Sequence, residues 1–498
     1  MTSDHVDVLV VGAGLSGIGA AYYLQRDHPQ RSYAILEARD AIGGTWDLFR
    51  YPGIRSDSDM HTLGYRFKPW VSSRAIADGP SILEYVNETA REHDINRNIR
   101  FNRRVVGAAW SSAEALWTVD VEDTTSGAIT RMTTSFLLGC TGYYRYDKGF
   151  TPDFPGVERF GGELIHPQHW PEDLDYAGKR VVIIGSGATA VTLVPAMSKD
   201  AAHVTMLQRS PTYIVSMPGK DAIANALRRV LPEKVAYGIT RWKNVLVQGA
   251  FYQFCRRRPK LARALLRRGV IRSLPAGFAV DTHFKPKYDP WDQRVCLVPD
   301  ADLFRALKKG KASIATDTIE TFTETGIRLA SGEELEADIV VSATGLQLLP
   351  LGGLQMTVDG EEVRLPDKLT YKALMLEGVP NYAFAVGYTN ASWTLKVDIT
   401  FEFVTRLLAY MDEHGHRQAT PVNNDPSVGE APFLDFTSGY VLRSLDQFPK
   451  QGDKTPWKLK QNYVVDVLTL RRGAIDDGVM QFSSPDREPA GARAVVAA

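Results

Sequence analysis

An apolar run broken by one acid, Val6, Val8, Leu9, Val10 and Val11, opens the chain and has the length of one buried strand. Gly12-Ala13-Gly14-Leu15-Ser16-Gly17 follows without a gap, and Ile18 to Gln25 then reads as a helix. Tyr33 to Leu36 predicts a second strand, which ends at Glu37. The pattern returns with Arg180-Val181-Val182-Ile183-Ile184, then Gly185-Ser186-Gly187-Ala188-Thr189-Ala190-Val191, then a strand from Val204 to Leu207. Between Arg228 and Arg272 the period changes. Apolar positions recur there at helical spacing, in Trp242, Val245 and Leu246 and again in Ala262, Leu265 and Leu266, with Phe251, Tyr252 and Phe254 between. No window approaches the roughly 18 to 20 uninterrupted apolar residues of a membrane span.

Glycine is common here, 41 of 498 residues, so a bare G-x-G-x-x-G would arise about 0.3 times by chance and only its setting gives it weight. The first copy has that setting. Gly12 permits a tight turn, Gly14 lets backbone approach a pyrophosphate, and Gly17 lets helix pack on strand. The helix N-terminus offers free N–H groups to phosphate, and Glu37 is placed to accept from a ribose diol. In the second copy Ala190 replaces the third glycine, and Gln208-Arg209-Ser210 follows the next strand instead of an acid. Arg209 suits a 2′-phosphate, Ser210 can donate to it, and an acid would repel it. The first site therefore suits FAD and the second NADPH. The expected fold is α/β, with two Rossmann-like, doubly wound three-layer dinucleotide-binding domains and a helical insertion.

Composition narrows the class. Hydrophobic residues at 44% and charged residues at 23% exclude wholesale disorder. Basic and acidic side chains number 58 each, so net charge gives no reason to expect a nucleic-acid partner. Cys140, Cys255 and Cys296 are scattered, without C-x-x-C spacing, which argues against a disulfide scaffold, a zinc site and a disulfide reductase; no metal is expected. The N-terminal MTSDHVDVLVVGAG has no basic region or cleavage site, and a cytoplasmic location is expected.

Between the two loops, Phe160-Gly161-Gly162-Glu163-Leu164-Ile165-His166-Pro167-Gln168-His169-Trp170-Pro171 matches F-x-G-x-x-x-H-x-x-x-W-P at every fixed position. By chance that is expected about 3 times in 100,000 such chains. It resembles the fingerprint of the flavin-dependent (type I) Baeyer–Villiger monooxygenases. Gly43-Gly44-Thr45-Trp46 and Tyr51-Pro52-Gly53-Ile54-Arg55-Ser56-Asp57 are similar to a second family element. Cys140-Thr141-Gly142-Tyr143 and Ala343-Thr344-Gly345 are similar to the strand ends where the family's chain crosses between domains. Nearly the whole chain resembles the ethionamide-activating branch, through Tyr288 to Arg294, Gly387 to Trp393 and Thr455-Pro456-Trp457. The Ala-rich end after about Asp486 lacks this signal and reads as a flexible tail.

The resemblance implies that NADPH reduces FAD, that O2 adds to the flavin as a C4a-peroxide, and that this converts ketones to esters or lactones, with sulfoxidation of thioethers as a second outcome. The alternative is a flavin monooxygenase acting mainly on soft nitrogen or sulfur; a non-catalytic flavin redox sensor is a further option. Arg294 aligns with the family's catalytic arginine and Asp57 with the acid beside it, although Asp57 alone would read as a helix cap. Cofactor contacts are expected from Gly12, Gly14, Ser16, Gly17, Glu37, Thr45, Trp46, Asp47, Leu48, Arg55, Ser56, Asp57 and Val105, and from Gly185, Ser186, Gly187, Ala188, Thr189, Ala190, Val191, Arg209, Ser210 and Gln293. Gln293 stands where the family commonly has Lys, which leaves Arg209 most of the discrimination against NADH. Trp457 is the nearest candidate for the family's C-terminal tryptophan, and that role is not carried to it. His166 is ranked as a hinge or packing residue above a general base.

The expected divisions are an FAD domain at 1–148 and 346–498 (the latter including the tail), a linker at 149–171, an NADP domain at 172–216 and 287–345, and the insertion at 217–286. The segment Arg228 to Arg272 holds 13 Arg or Lys and one acid, Glu233. It reads first as the solvated face of a packed helical insertion, with weak association to an anionic membrane surface as the alternative. Oligomeric state is left open.

Overall fold

The computed structural model describes residues 4–434 and 436–485; the expected tail from Asp486 lies outside the described residues. The chain first lays down β1 (Asp4–Val11), α1 (Leu15–Asp27), β2 (Tyr33–Leu36), α2 (Gly79–Glu92), β3 (Ile99–Arg100), β4 (Arg103–Ser111), β5 (Leu116–Asp123) and β6 (Ile129–Gly139). It crosses to a second unit with β7 (Glu163–Ile165), β8 (Arg180–Ile184), α3 (Ala188–Met197), β9 (His203–Gln208) and β10 (Ile214–Met217). A helical excursion follows, α4 (Ala222–Val230), α5 (Glu233–Arg257) and α6 (Pro259–Ser273). The second unit then continues with β11 (Cys296–Pro299), α7 (Asp302–Lys308), β12 (Ala312–Thr316), β13 (Ile319–Phe322), β14 (Gly326–Leu329), β15 (Glu334–Glu336) and β16 (Ile339–Ser342). The return adds β17 (Gln355–Val358), β18 (Glu361–Glu362), β19 (Thr370–Tyr371), β20 (Met375–Leu376), β21 (Tyr382–Phe384), α8 (Trp393–His414) and α9 (Tyr463–Arg472).

In the first unit β3, β2, β1, β6 and β21 are parallel neighbours, while β6 also pairs antiparallel with β5 and β5 with β4. The apolar run of β1 is continuous because both faces are covered. Val8 and Val10 pack under α1, α2 and α8, whereas Val6, Leu9 and Val11 pack with Trp110 and Trp117 of β4 and β5. The second unit repeats this arrangement. Its sheet runs β12-β9-β8-β16-β7, all parallel. Val181 and Ile183 face α3, and Val182 and Ile184 face the antiparallel β13–β15 layer. Both units are thus three-layered and Rossmann-like, with antiparallel strands as the third layer where a second layer of helices would complete a doubly wound sheet.

Two findings differ from the sequence reading. The fingerprint segment is more than a connection, because β7 is the edge strand of the second sheet, paired with β16. And the insertion's basic side chains are not all solvated. Arg241 is buried, with Nη2 2.9 Å from the Asp398 carboxylate of α8 and Nη1 donating to the carbonyls of His61, Thr62 and Gly64. Burial pushes the Asp398 carboxyl up to about 6, against the opposing pull of Arg241. This pair rivets the insertion to the first unit. Among the described residues no helix is long and apolar enough to cross a membrane.

Candidate functional site

Each dinucleotide-type loop sits where a parallel strand hands over to a helix, and the glycines divide into two kinds. A Cβ on Gly17 would lie 1.8 Å from the Gly12 carbonyl oxygen, and one on Gly12, whose φ is +104°, would lie 2.7 Å from the Cys140 carbonyl. In the second loop a Cβ on Gly185 would lie 2.3 Å from the Ala343 carbonyl. These glycines are required by the protein's own packing. Gly14 and Gly187 are not. A Cβ at Gly14 would make only an ordinary 3.7 Å contact, and at Gly187 it would meet nothing within 4 Å. A glycine that packs against nothing keeps backbone N–H groups open to a ligand, which fits a dinucleotide pyrophosphate at both loops. Ala190, in place of a third glycine, is fully buried.

At the end of β2, Glu37 is 7% exposed and accepts from the Ala13 and Arg39 amides at 2.7 and 3.0 Å. Burial raises its carboxyl above the ordinary range, and the two amides partly offset that. Acceptor capacity beyond those two bonds leaves it able to hold a ribose diol. Gly43 and Gly44 pass close over Gly14, and Thr45, Trp46, Asp47 and Leu48 form one helical turn beside them. The Thr45 hydroxyl is 3.4 Å from that of Tyr146, and buried Asp47 pairs with Arg39 and Arg50 at 2.6 and 3.1 Å. Trp46 packs on the first unit's core and Leu48 on the second's. Ser16 Oγ accepts from the Trp393 indole N–H at 2.9 Å, and Val105 is buried in β4 opposite Val121.

At the end of β9 the character reverses. Arg209 and Ser210 are exposed, and Arg209 has no carboxylate partner among the described residues. Ser186 Oγ donates to the Ser210 carbonyl at 3.0 Å, tying the two parts of the loop together. The segment 283–288 runs alongside: Gln208 Nε2 donates to the His283 carbonyl at 2.8 Å, and the Thr212 and Tyr288 hydroxyls are 2.9 Å apart. Phe284 and Pro286 are buried in that segment while Lys285 and Lys287 alternate outward. Two exposed lysines thereby lie on the segment that runs beside the Arg209 loop, in a chain stretch that no fingerprint covers. Gln293 pairs with Pro290 in a local bridge and is half-buried.

The Tyr51–Asp57 turn reaches from the first unit onto the second. Gly53, at φ +78°, approaches α3 so closely that a Cβ would meet that of Ala196 at 2.7 Å. Arg55 Nη1 pairs with Asp302 of α7 at 2.5 Å, while its buried Nη2 has no protein partner. The Ser56 hydroxyl donates to the Ser58 carbonyl at 2.6 Å, so it is engaged within its own turn. The cap of the next helical turn is Asp59, which accepts from Thr62 N–H. Asp57 is thereby free of capping. Its carboxylate lies 3.6 Å from Arg294 Nε, and both side chains are about one-third accessible, at 31% and 37%. Burial of the guanidinium opposes its charge, but Asp57, Tyr143, Tyr440 and Tyr144 around it hold its pKa above the ordinary value. Arg294 is a permanent cation, partly open to solvent, with three phenols near it.

Residues 76–349 match the model of the flavin-binding monooxygenase-like family, and residues 10–73 match that of an NAD(P)-binding Rossmann-like domain. The FAD-containing monooxygenase EthA of Mycobacterium tuberculosis is 56% identical over 482 residues, covering 97% of this chain and 98% of that one. The chain belongs to the flavin-binding monooxygenase-like family. The probable FAD-binding monooxygenase AlmA of Acinetobacter baylyi is 51% identical over 480 residues, covering 96% of each chain. Among solved structures, an oxidized steroid monooxygenase bound to NADP shares the fold with a TM-score of 0.77 at 22% identity, covering 96% of this chain and 100% of that one.

In this flavin-binding monooxygenase the fingerprint binds the crossing points. His166 Nε2 lies 3.2 Å from the Gly345 carbonyl and Nδ1 accepts from the Gln168 N–H at 3.2 Å. Those partners select the neutral ring protonated at Nε2, with both nitrogens engaged. Burial lowers its pKa accordingly. Buried Gln168 donates to the carbonyls of Arg145 and Tyr146 at 2.9 and 3.0 Å. Missed by sequence reasoning were Tyr440 and Thr437; the latter's amide and hydroxyl both donate to the Asp292 carbonyl, at 3.2 and 3.1 Å. That strap comes from 145 residues further along the chain, and no local pattern marks it. Trp457 is buried against Tyr371, away from any such role.

Proposed function

We propose that this monooxygenase uses FAD, NADPH and O2 to convert ketones to esters or lactones, with thioethers oxidised to sulfoxides as a second outcome. The reaction balances as ketone, O2, NADPH and a proton giving ester, NADP⁺ and water. The relatives' names, FAD-containing and FAD-binding, and the NADP bound to the steroid monooxygenase support the cofactors. The observation that carries the reading is the Arg294–Asp57 pair, at 3.6 Å, placed where the Tyr51–Asp57 turn meets the second unit.

Bound and reduced, the flavin supplies the activation of O2 that no side chain can. Gly14, Glu37 and the helix α1 N-terminus would hold its dinucleotide, and Gly187, Ser186, Arg209 and Ser210 that of NADPH, with Lys285 and Lys287 adding charge beside the 2′-phosphate. Arg294 presents a fixed cation to the negative charge that develops on the transferred oxygen, an effect worth on the order of 3 kcal/mol for one well-placed donor. Asp57 orients the guanidinium. Tyr143, Tyr144 and Tyr440 narrow the cleft and exclude water, which strengthens that electrostatic interaction. His166 moves no proton, since both its nitrogens are engaged by backbone groups.

The test is NADPH consumption under air by the FAD-loaded protein with and without phenylacetone, with product analysis. Ester formation coupled to NADPH loss, absent in Arg294→Ala, is the expected result. Steady peroxide release with no ester across a ketone panel would replace this reading with oxygenation of soft nitrogen or sulfur.

A further inference from the structure

We propose that helix α6 lays its outer face on an anionic lipid surface. Its fifteen residues, Pro259–Ser273, include no acid. The inner face is Ala262, Leu266 and Val270, buried at intervals of four. The outer face carries Leu261, Leu265 and Ile271, which are 52%, 50% and 43% exposed, together with exposed Arg268 and Arg272. Positions 261, 265, 268 and 272 follow one another at helical spacing, so apolar and cationic side chains share one stripe.

From Arg241 to Arg272 the ten cations divide into two groups of five. Arg241 is buried against Asp398, and Lys243, Arg256, Arg263 and Arg267 turn to Asp221, Asp292, Asp289 and Asp281 at 2.6 to 3.1 Å. Arg257, Arg258, Lys260, Arg268 and Arg272 are exposed and have no carboxylate partner among the described residues. Arg257 ends α5, Arg258 forms the bend, and the other three lie on α6. Arg229 of α4 and Lys234 of α5 are also exposed without a carboxylate partner among the described residues, but α6 and the two residues before it hold the larger group of such cations.

A helix this short and this charged cannot span a bilayer, but an apolar stripe edged by unneutralised cations is the pattern that lies in the interfacial plane. The chain's net charge is zero, so this local excess also orients the molecule. A two-fold contact with a second copy would set these cations against their own kind, which disfavours self-association. A nucleic acid would match the charge but leave the two leucines and Ile271 without an apolar partner. On the inner side Leu266 packs with Val295, the neighbour of Arg294, so a docked α6 sets the cleft one layer from the lipid.

The experiment is flotation of the FAD-loaded protein with vesicles of phosphatidylcholine alone and of phosphatidylcholine containing one-third phosphatidylglycerol. Binding to the anionic vesicles only, weakening with added salt, is expected. Each cation contributes about fivefold, so Lys260→Gln, Arg268→Gln and Arg272→Gln together reduce binding about 100-fold with NADPH oxidation in solution unchanged. Leu261→Ser with Leu265→Ser should abolish flotation while keeping the charge. No flotation of the parent protein, or undiminished flotation of the triple variant, overturns the proposal. Undiminished flotation of the serine pair also overturns it, in favour of a polyanion site. A change of oligomeric state in any variant, read by light scattering, overturns it in favour of a contact between copies.

Discussion

The two strand–turn–helix loops share backbone geometry and differ in what stands at the end of the second strand. Glu37 is buried, is held by two amides, and has its pKa raised by its surroundings. Arg209 is exposed, without a carboxylate partner among the described residues, and the segment beside its loop carries two exposed lysines. The first loop is also roofed by Gly43 and Gly44 and by Trp393 on Ser16, whereas Gly187 faces open space. A closed acidic site suits a dinucleotide that stays, and an open basic one suits a dinucleotide that arrives and leaves on every turnover. On the proposed assignment the same turn serves a resident and a visitor, and the difference lies in the charge and burial at the end of the second strand rather than in the loop.

The comparison breaks most sharply at its glycines. In Gly17→Ala the new Cβ meets a carbonyl at 1.8 Å, an overlap costing about 3 kcal/mol, so loss of bound flavin absorbance and a large drop in Tm are expected. Gly187→Ala meets no protein atom, so Tm and flavin content should hold within about 0.5 kcal/mol of the parent, while NADPH binding weakens about tenfold or more. Calorimetric titration of NADP⁺ beside a thermal melt reads both. If Gly187→Ala also loses flavin, the two loops are one site.

Arg294 belongs to neither loop and separates cofactor binding from chemistry. Arg294→Ala should keep NADPH oxidation and lose ester formation by about 100- to 1,000-fold, measured as product per NADPH consumed. Equal loss of both would make Arg294 part of the visitor's site instead.

Local signals made the loops readable. Strand, turn, helix and Glu37 lie within one short stretch, and the glycines that sequence reasoning singled out divide in the structure into those packing demands and those it does not. What the sequence withheld is non-local. Nothing near Arg241 announces that Asp398 waits 157 residues on, so a cation read as solvated is buried. Nothing near Asp292 announces Thr437. The Lys285–Lys287 pair was hidden for another reason: two surface lysines have no meaning until hydrogen bonds to Gln208 and Thr212 lay their segment beside Arg209.

Those lysines sharpen the visitor's side. Arg209→Gln should raise the Kd for NADPH about 10- to 100-fold and leave that for NADH unchanged. Lys285→Gln and Lys287→Gln should each cost about fivefold, again for NADPH alone. Binding titrations with both nucleotides decide it. Equal effects on the two would assign these cations to the pyrophosphate rather than to the 2′-phosphate.

The smallest effect lies in the linker that ties the resident's unit to the visitor's. Burial lowers the pKa of His166, and its neutral form alone can accept from Gln168 N–H while Nε2–H donates to the Gly345 carbonyl. A group whose folded pKa lies below its unfolded value contributes stability that is present above the unfolded pKa, about 6.5, and is lost as pH falls through the lowered folded value. Acidification below about 6.5 should therefore lower Tm by a few degrees, as protonated Nδ1 is turned against a donor. His166→Gln cannot titrate, so its Tm should start lower and lose less across that interval. Because the ring holds Gly345 at the crossing point, acid should loosen NADP⁺ before flavin. A Tm that falls equally in parent and variant would assign the acid sensitivity elsewhere, and simultaneous loss of both cofactors would show that the linker supports the two loops alike.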